Sequence, residues 1–155
     1  MTTARYAAGT EVSSGRSRDE IERTLTRYGA VQFIYGWDSA KAVIGFAVND
    51  RQVRFLLPMP ERSEFTLTPT RMRRTKASAD KAYEQAVKQR WRALALVIKA
   101  KLEAVAAGIV TFEDEFAMHM ILPDGRTVRD HVLPAIEDAY ATGTVRPFLA
   151  IEGTS

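Results

Sequence analysis

The side chains best suited to chemistry in this sequence are cationic and lie close together. Four positive charges fall within residues 71–76, and more follow in a stretch with the pattern of a long helix. A dense array of guanidinium and ammonium groups can neutralise several phosphates of a nucleic acid at once. Eight residues are therefore candidate nucleic-acid-binding positions: Arg71, Arg73, Arg74, Lys76, Lys81, Lys88, Arg92 and Lys99.

The formal net charge of +3 is unevenly distributed along the chain. Residues 1–61 carry 8 Lys or Arg and 7 Asp or Glu, residues 62–101 carry 11 and 3, and residues 102–155 carry 3 and 9. This asymmetry favours an electrostatic partner for the basic segment. It also fits a solvated helix face, or pairing of the basic segment with the acidic end, within one chain or across a dimer.

Residue patterns that could support catalysis are weak. His119 and His131 have acidic neighbours, but they lie twelve positions apart with a turn between them and match no metal-ligand or acid/base spacing. Cysteine is absent, and no glycine-rich phosphate loop or nucleophile elbow occurs. We predict a protein that is not an enzyme, with no catalytic residue, metal or cofactor.

Length and composition are typical of one soluble domain. Hydrophobic residues make up 46% of the 155 residues and charged residues 26%, which provides enough apolar surface for a core. The first residues lack the apolar region of a signal peptide, and no apolar run approaches the roughly 18 residues that span a bilayer. We expect a cytoplasmic protein without a membrane partner.

The elements before the basic segment are predicted to be a short helix and a sheet. Ser17 and Glu20 have capping-box spacing, and an apolar helical pattern follows up to Gly29. Asn49 and Asp50 predict a tight turn between two strands. Runs rich in β-branched and aromatic residues predict an antiparallel meander: VQFIYGW (31–37), KAVIGFAV (41–48) and RQVRFLLP (51–58).

The strand aromatics have two interpretations. They could stack on bases, as aromatics do on RNA-binding sheets, but on a meander they more often form the core. Trp37, beside Asp38 at a turn, is the one we expect to be partly exposed. The group comprises Phe33, Tyr35, Trp37 and Phe46.

Residues 59–78 are predicted to form a connector. Prolines occur at 58, 60 and 69, and there is little periodic apolar content. We expect Arg71 to Lys76 to form a mobile basic arm. Ser78 is predicted to cap the following helix and Gly108 to end it.

The helix predicted at 79–107 places apolar and basic residues on different sides. Its apolar positions form one stripe that must be buried: Tyr83, Val87, Trp91, Leu94, Ile98, Leu102 and Val105. Arg90 and Lys101 lie at or within the edge of this stripe, where each needs a partner. Four basic residues form a column about 27 Å long on another side, here called the basic column: Lys81, Lys88, Arg92 and Lys99.

The acidic last third predicts one or two shorter helices. Thr127 and Asp130 have cap spacing, and Pro134 either kinks the helix that follows or begins it. The predicted fold class is α+β: a short helix, a three-stranded antiparallel meander, a long basic helix and one or two shorter C-terminal helices. Residues 1–58 and 79–155 are expected to form one compact unit.

The order of elements resembles the double-stranded-RNA-binding domain in topology alone. In that family, positive residues at the start of the second helix contact phosphates, and the matching region here includes Arg73, Arg74, Lys76 and Lys81. The connector and the second helix are longer than that family has. A further 48 residues follow residue 107. The resemblance therefore implies a topology and carries little functional weight.

A second resemblance involves most of the chain. The segments SRDEIERTLTRYGA, QRWRALALVIKAKLEAVAAGIVTFEDEF and LPDGRTV resemble a family of small bacteriophage and prophage proteins, notably of actinobacterial phages. This resemblance implies a viral context and the cytoplasm of a bacterial host, and it supplies no catalytic residues. We favour an accessory protein that binds DNA or RNA. The alternative is a protein-interaction module, either a homo-oligomer, a virion component or an inhibitor of a host factor, that docks through the long helix.

Overall fold

The α+β prediction is confirmed by the order of the elements. A computed structural model describes residues 2–38 and 40–147, with side chains described from residue 15 onward. Two short 3₁₀ turns, Arg62–Phe65 and Ala117–His119, join the larger elements. These are α1 (Thr2–Arg27), β1 (Gln32–Trp37), β2 (Lys41–Val48), β3 (Arg51–Pro58), α2 (Lys76–Ala106), α3 (Phe112–Phe116) and α4 (Val128–Thr142).

The first helix is longer than predicted. Helix α1 has 26 residues, and Ser17 lies inside it rather than at its start. The prediction failed because Ser17 and Glu20 match a capping pattern locally, while the residues before them include Ala, Arg and Glu, which favour helix. The predicted end is correct, since the helix stops at Arg27 and Gly29 follows with a φ of 96°.

The three strands form the predicted meander in the order β1-β2-β3, with both pairs antiparallel. Asn49 and Asp50 connect β2 to β3 with φ values of 50° and 60°. The type I′ turn, whose twist matches that of the flanking strands, requires positive φ at both central residues. Asn and Asp tolerate positive φ better than most residues. This turn therefore fixes the β2–β3 register.

One face of the sheet forms the core, and the other is largely open. Helix α2 covers the core face together with α1 and α3. Ile34 and Leu56 lie on the open face and are 66% and 52% exposed. The buried sheet residues on the core face are Ala42, Ile44, Phe46, Val48, Val53 and Phe55.

Helix α2 buries the predicted stripe but starts earlier than predicted. It begins at Lys76 instead of residue 79, because Thr75 rather than Ser78 is the cap: the Thr75 hydroxyl accepts a hydrogen bond from the Ser78 amide. The helix ends at Ala106, two residues before Gly108, whose φ is 74°. Tyr83 and Val105, at the two ends of the stripe, are partly buried. The buried residues of the helix are Val87, Trp91, Leu94, Ala95, Ile98 and Leu102.

Helix α4 begins at the predicted capping pair and contains Pro134. The Thr127 hydroxyl accepts from the Asp130 amide, and the Asp130 carboxylate accepts from the Thr127 amide. This second hydrogen bond is the main cause of the lowered pKa of Asp130. Pro134 lacks the N–H that would bond the Asp130 carbonyl, and the Arg126 guanidinium donates to that oxygen at 3.2 Å instead.

Candidate nucleic-acid interface

The basic column lies on an exposed side of α2, away from the stripe that packs on the sheet. All four of its side chains are exposed, whereas Val87 and Trp91, between them in sequence, are buried. A rise of 1.5 Å per residue places successive column residues about 6 to 10 Å apart along the axis. The column is therefore a straight, solvent-facing row of cations on a rigid support.

The acidic end of the chain does not neutralise this row within the part that the structure describes. Four of its carboxylates pair elsewhere: Glu115 with Lys101 at 2.9 Å, Asp124 with His131 at 2.7 Å, and Asp130 and Asp138 with Arg54 and Arg146 at 3.9 Å. No described carboxylate lies within 4.0 Å of a charged nitrogen of the basic column. The column residues therefore form no ion pair with a described carboxylate, although Glu84 and Glu103 lie one helical turn from Lys88 and Lys99 on the same helix.

The predicted mobile arm is instead an ordered hairpin, here called the basic hairpin (residues 66–74). Leu67 pairs with Arg73 in an antiparallel bridge, and the Thr68 amide donates to the Met72 carbonyl at 2.7 Å. Arg71 occupies the turn with a φ of 64°. The prediction of mobility failed because these hydrogen bonds come from a turn closed by Thr68, which apolar periodicity does not report.

The connector is also held against α2. The Arg62 guanidinium contacts Asp80 at 3.0 Å and lies 4.5 Å from the centre of the Tyr83 ring. Phe65 meets the same ring edge to face at 6.0 Å between centroids. These contacts attach the 3₁₀ turn before the hairpin to the first turns of α2.

The two basic residues at the edge of the apolar stripe each have a specific partner, as predicted. The Arg90 guanidinium donates to the Pro58 carbonyl at 2.7 Å, which fixes the end of β3 to α2. The Lys101 ammonium contacts the Glu115 carboxylate at 2.9 Å and lies 5.8 Å from the centre of the Phe116 ring. Both groups therefore contribute to the fold and are distinct from the exposed column.

The structure divides the eight candidate residues into groups. The four column residues share one side of α2. Arg71 and Arg73 are exposed on the basic hairpin, whereas Arg74 is half-buried. Lys76 is exposed in the first turn of α2 but lies about 140° around the helix axis from Lys81, so it is not part of the column.

The sheet aromatics are directed mainly into the core. The Tyr35 ring lies 5.3 Å from Trp91, and the Arg18 guanidinium stacks over Tyr35 at 4.2 Å. Phe46 is buried against Phe116. Trp37 is 54% exposed, which agrees with its predicted position at a turn. The arrangement is that of core packing rather than a platform for stacking bases.

The two histidines have separate environments. His119 stacks on Phe55 with ring centroids 4.1 Å apart, and burial lowers its pKa, with further lowering from the charges of Lys101 and Arg129. His131 contacts Asp124, whose pKa is lowered by the Arg126 amide and then by His131. Within residues 15–38 and 40–147, no three His, Asp or Glu side chains are grouped as metal ligands would be.

Two exposed apolar residues of α2 were missed from the sequence, and only the first of them, Leu96, lies beside the column, since Val97 is about 160° around the helix axis from Lys99. Leu96 and Val97 are 60% and 45% exposed on α2, next in sequence to the buried pair of Leu94 and Ala95. The sequence could have indicated their exposure, because both residues fall outside the predicted apolar stripe, on the part of the helix surface that normally carries polar residues. Leu96 lies one helical turn from Arg92, so apolar and cationic contacts adjoin on the same exposed side.

The chain was compared with protein-family models, curated proteins and solved structures, and none of them matches it. No described helix is both long and apolar enough to cross a membrane.

Proposed function

We propose that this chain is a non-enzymatic, phage-type accessory protein that binds nucleic acid mainly through its phosphates, in the cytoplasm of a bacterial host. The observation that carries the proposal is the basic column, four exposed cations on one side of a helix with no described carboxylate within 4.0 Å of their charged nitrogens. The ordered basic hairpin, which directly precedes α2, adds Arg71 and Arg73 as further contacts.

The geometry of the column suits a regular polyanion. Duplex DNA carries one charge per roughly 1.7 Å of its axis, so a row about 27 Å long lies alongside many phosphates whatever the base sequence. The helix is already ordered, and binding therefore costs mainly the immobilisation of Lys and Arg side chains. Because these contacts carry no base information, we expect little sequence preference.

The central test measures binding of labelled duplex DNA, duplex RNA and single strands by fluorescence anisotropy from about 50 to 200 mM salt. We expect binding that weakens steeply with salt. Replacing the four column residues together with Gln should flatten the slope of log K against log salt on duplex DNA by up to about 3.6, or 0.9 per lost contact. Absence of binding by the wild type at low salt would refute the proposal.

A matched variant separates a specific surface from net charge. Four exposed cations elsewhere are replaced with Gln, so that the total charge changes by the same amount: Arg27, Lys41, Arg51 and Arg129. We expect this variant to retain most of the affinity and the salt slope. Equal losses in the two variants would show that α2 is not a preferred surface.

Arg71 permits a test that cannot be confused with unfolding. Its φ of 64° is a conformation that glycine adopts without strain, so Arg71→Gly removes a charge while relaxing the turn. We expect the melting temperature to stay equal or rise while the affinity for duplexes falls. A fall in melting temperature would show that the Arg71 side chain stabilises the hairpin instead.

The exposed Leu96 and Val97 favour a second candidate function, a protein partner bound to α2. Leu96 adjoins the charged row, and an exposed apolar side chain in such a position is typical of a protein interface. The two functions differ in their response to salt, since an apolar interface is insensitive to it. If Leu96→Ser abolishes a salt-insensitive association and the column variant binds nucleic acid as the wild type does, the second function is the correct one.

A further inference from the structure

The two edge strands of the sheet, β3 and β1, have different neighbours. At the outer edge of β3, Val53 forms a bridge with Met120, and the Ile121 amide donates to the Gln52 carbonyl at 2.8 Å. Strand β1 is the opposite edge, and its outer side receives no strand from any part of the chain that the structure describes. Among residues 2–38 and 40–147, the sheet is therefore covered at its β3 edge and open at its β1 edge.

The backbone register identifies the groups along the open edge. The Asp38 amide donates to the Lys41 carbonyl at 2.9 Å, and the β1–β2 pairing runs from Trp37 opposite Ala42 back to Gln32 opposite Ala47. Hydrogen-bonded pairs alternate along an antiparallel ladder, so Gln32, Ile34 and Gly36 bond to β2. The amide and carbonyl groups of Phe33 and Trp37 are directed away from β2.

The side chains of β1 provide none of the usual protection of an edge. The strand reads QFIYGW, with no charge and no proline, and Val31 just before it is 81% exposed. Protein edges are normally blocked by Lys, Pro, a bulge or a covering segment. Strand β3 carries Arg51 and Arg54 and is covered, so its edge follows this rule while β1 does not.

We propose that β1 pairs antiparallel with β1 of a second copy of this chain, which joins two meanders into a six-stranded sheet. Phe33 of each copy then bonds to Trp37 of the other across a two-fold axis at the middle of the strand. This register pairs residues 33–37 of one copy with residues 33–37 of the other, and it places the exposed Trp37 ring beside Phe33 of the other copy. Sliding one strand past the other by one residue places each outward-facing group opposite an inward-facing one, and sliding it by two residues leaves part of each strand unpaired.

A second copy is the occupant that the charges favour. Like charges directly opposite each other destabilise paired strands, and β1 brings no charge to such a contact. The interface of a six-residue strand is smaller than the roughly 1,200 Å² of a stable complex, so we expect a reversible dimer with a dissociation constant on the order of micromolar. Its strength should be almost independent of salt, unlike binding through the basic column.

The test uses two lysine substitutions on the same open face of the sheet. Ile34→Lys places a charge on the β1 edge, and Leu56→Lys places one on β3; both parent side chains are exposed, so both variants should fold. Light scattering and sedimentation across a concentration series measure the dimer. We expect Ile34→Lys to raise the dissociation constant about tenfold or more and Leu56→Lys to leave it unchanged.

A crosslink tests the register itself. The chain has no cysteine, so Ile34→Cys and Gly36→Cys each introduce a single thiol, and a Cβ at Gly36 meets no atom within 4 Å. The proposed register places these positions opposite each other, and a mixture of the two variants should form the mixed disulfide in preference to either self-linked product. A monomer at all concentrations, equal effects of the two lysines, or loss of the dimer in Leu96→Ser alone would each overturn the proposal.

Discussion

Two sides of α2 follow different physical rules. The side facing the sheet is apolar, and its residues lie in the same core as Phe46, Phe55 and Phe116. The opposite side carries the basic column, which has no close partner among the described residues. The first side is explained fully by burial, which stabilises a fold in proportion to the apolar area removed from water. The second side contributes nothing comparable to the fold and therefore needs another explanation.

This difference separates stability from binding on a single helix. A buried residue of the stripe cannot be changed without affecting the core, because interiors are packed as densely as organic crystals. A column residue can be changed with little structural consequence, because its charge is solvated in the free protein. Four experiments, taken in order of decreasing effect on the free energy of unfolding, test how complete this separation is.

Trp91→Ala should have the largest effect. Trp91 is buried against Tyr35, with ring centroids 5.3 Å apart, and its loss leaves a large cavity beneath the sheet. We expect the free energy of unfolding to fall by about 3 to 5 kcal/mol, measured by urea denaturation. Arg92→Ala at the adjacent exposed position is the control and should change it by less than about 0.5 kcal/mol. A stable, folded Trp91→Ala protein would show that this ring is not part of the core.

Lys101 lies at the edge of the apolar stripe, between the buried and the exposed side of α2. Its contribution to stability is tested by Glu115→Gln, which removes the charge of its partner. The ion pair of Glu115 with Lys101 is about one quarter exposed, at 26% and 24% for the two side chains, so solvent screens it only in part. We expect a loss of about 1 kcal/mol. Lys99 belongs to the basic column and lies two residues before Lys101, the partner of Glu115. Lys99→Met is therefore the control, and it should have almost no effect on stability. Equal effects would mean that the column also stabilises the fold.

His119, near Lys101, should make the free energy of unfolding depend on pH. Burial and the charges of Lys101 and Arg129 lower its pKa below the ordinary value of 6.5, so the unfolded chain takes up the proton first. The free energy of unfolding should therefore decrease as the pH falls below about 6.5, with the neutral form fully favoured above that value. Urea titrations at a series of pH values measure this slope. His119→Gln should flatten it, and Lys101→Met should weaken it by raising the pKa of His119; an unchanged slope in both variants would exclude this cause.

Much of the fold was predictable because its signals are local. The buried stripe of α2 follows from helical spacing, and the turn at Asn49 and Asp50 follows from residue type. The start of α1 was wrong because a capping pattern at Ser17 also occurs within helices. The sequence did not predict that the connector is ordered, because its conformation depends on contacts between residues far apart in sequence, such as Arg62 with Asp80 and Arg90 with Pro58.

The candidate site was only half predictable for a related reason. Its residues and their common side of α2 follow from the sequence, because spacing on a helix is regular. Whether acidic residues cover that side depends on where the C-terminal elements pack. Helix α3 packs against α2, with Glu115 paired to Lys101, and α4 contacts the 3₁₀ turn at Ala117–His119, so the carboxylates of these two helices form no ion pair with the column. Spacing along the chain cannot supply this three-dimensional fact.

The smallest effect on stability is expected for the basic column itself. Replacing its four residues with Gln should change the free energy of unfolding by less than about 0.5 kcal/mol in total, because exposed charges away from packed features contribute little. A modest increase is physically reasonable, since four like charges on one side of a helix repel one another. The same protein should show the greatest loss of nucleic-acid affinity among these variants. If it instead unfolds readily and the decrease in binding follows the decrease in stability, the two sides of α2 are not independent, and the column has a structural partner that the present contacts do not include.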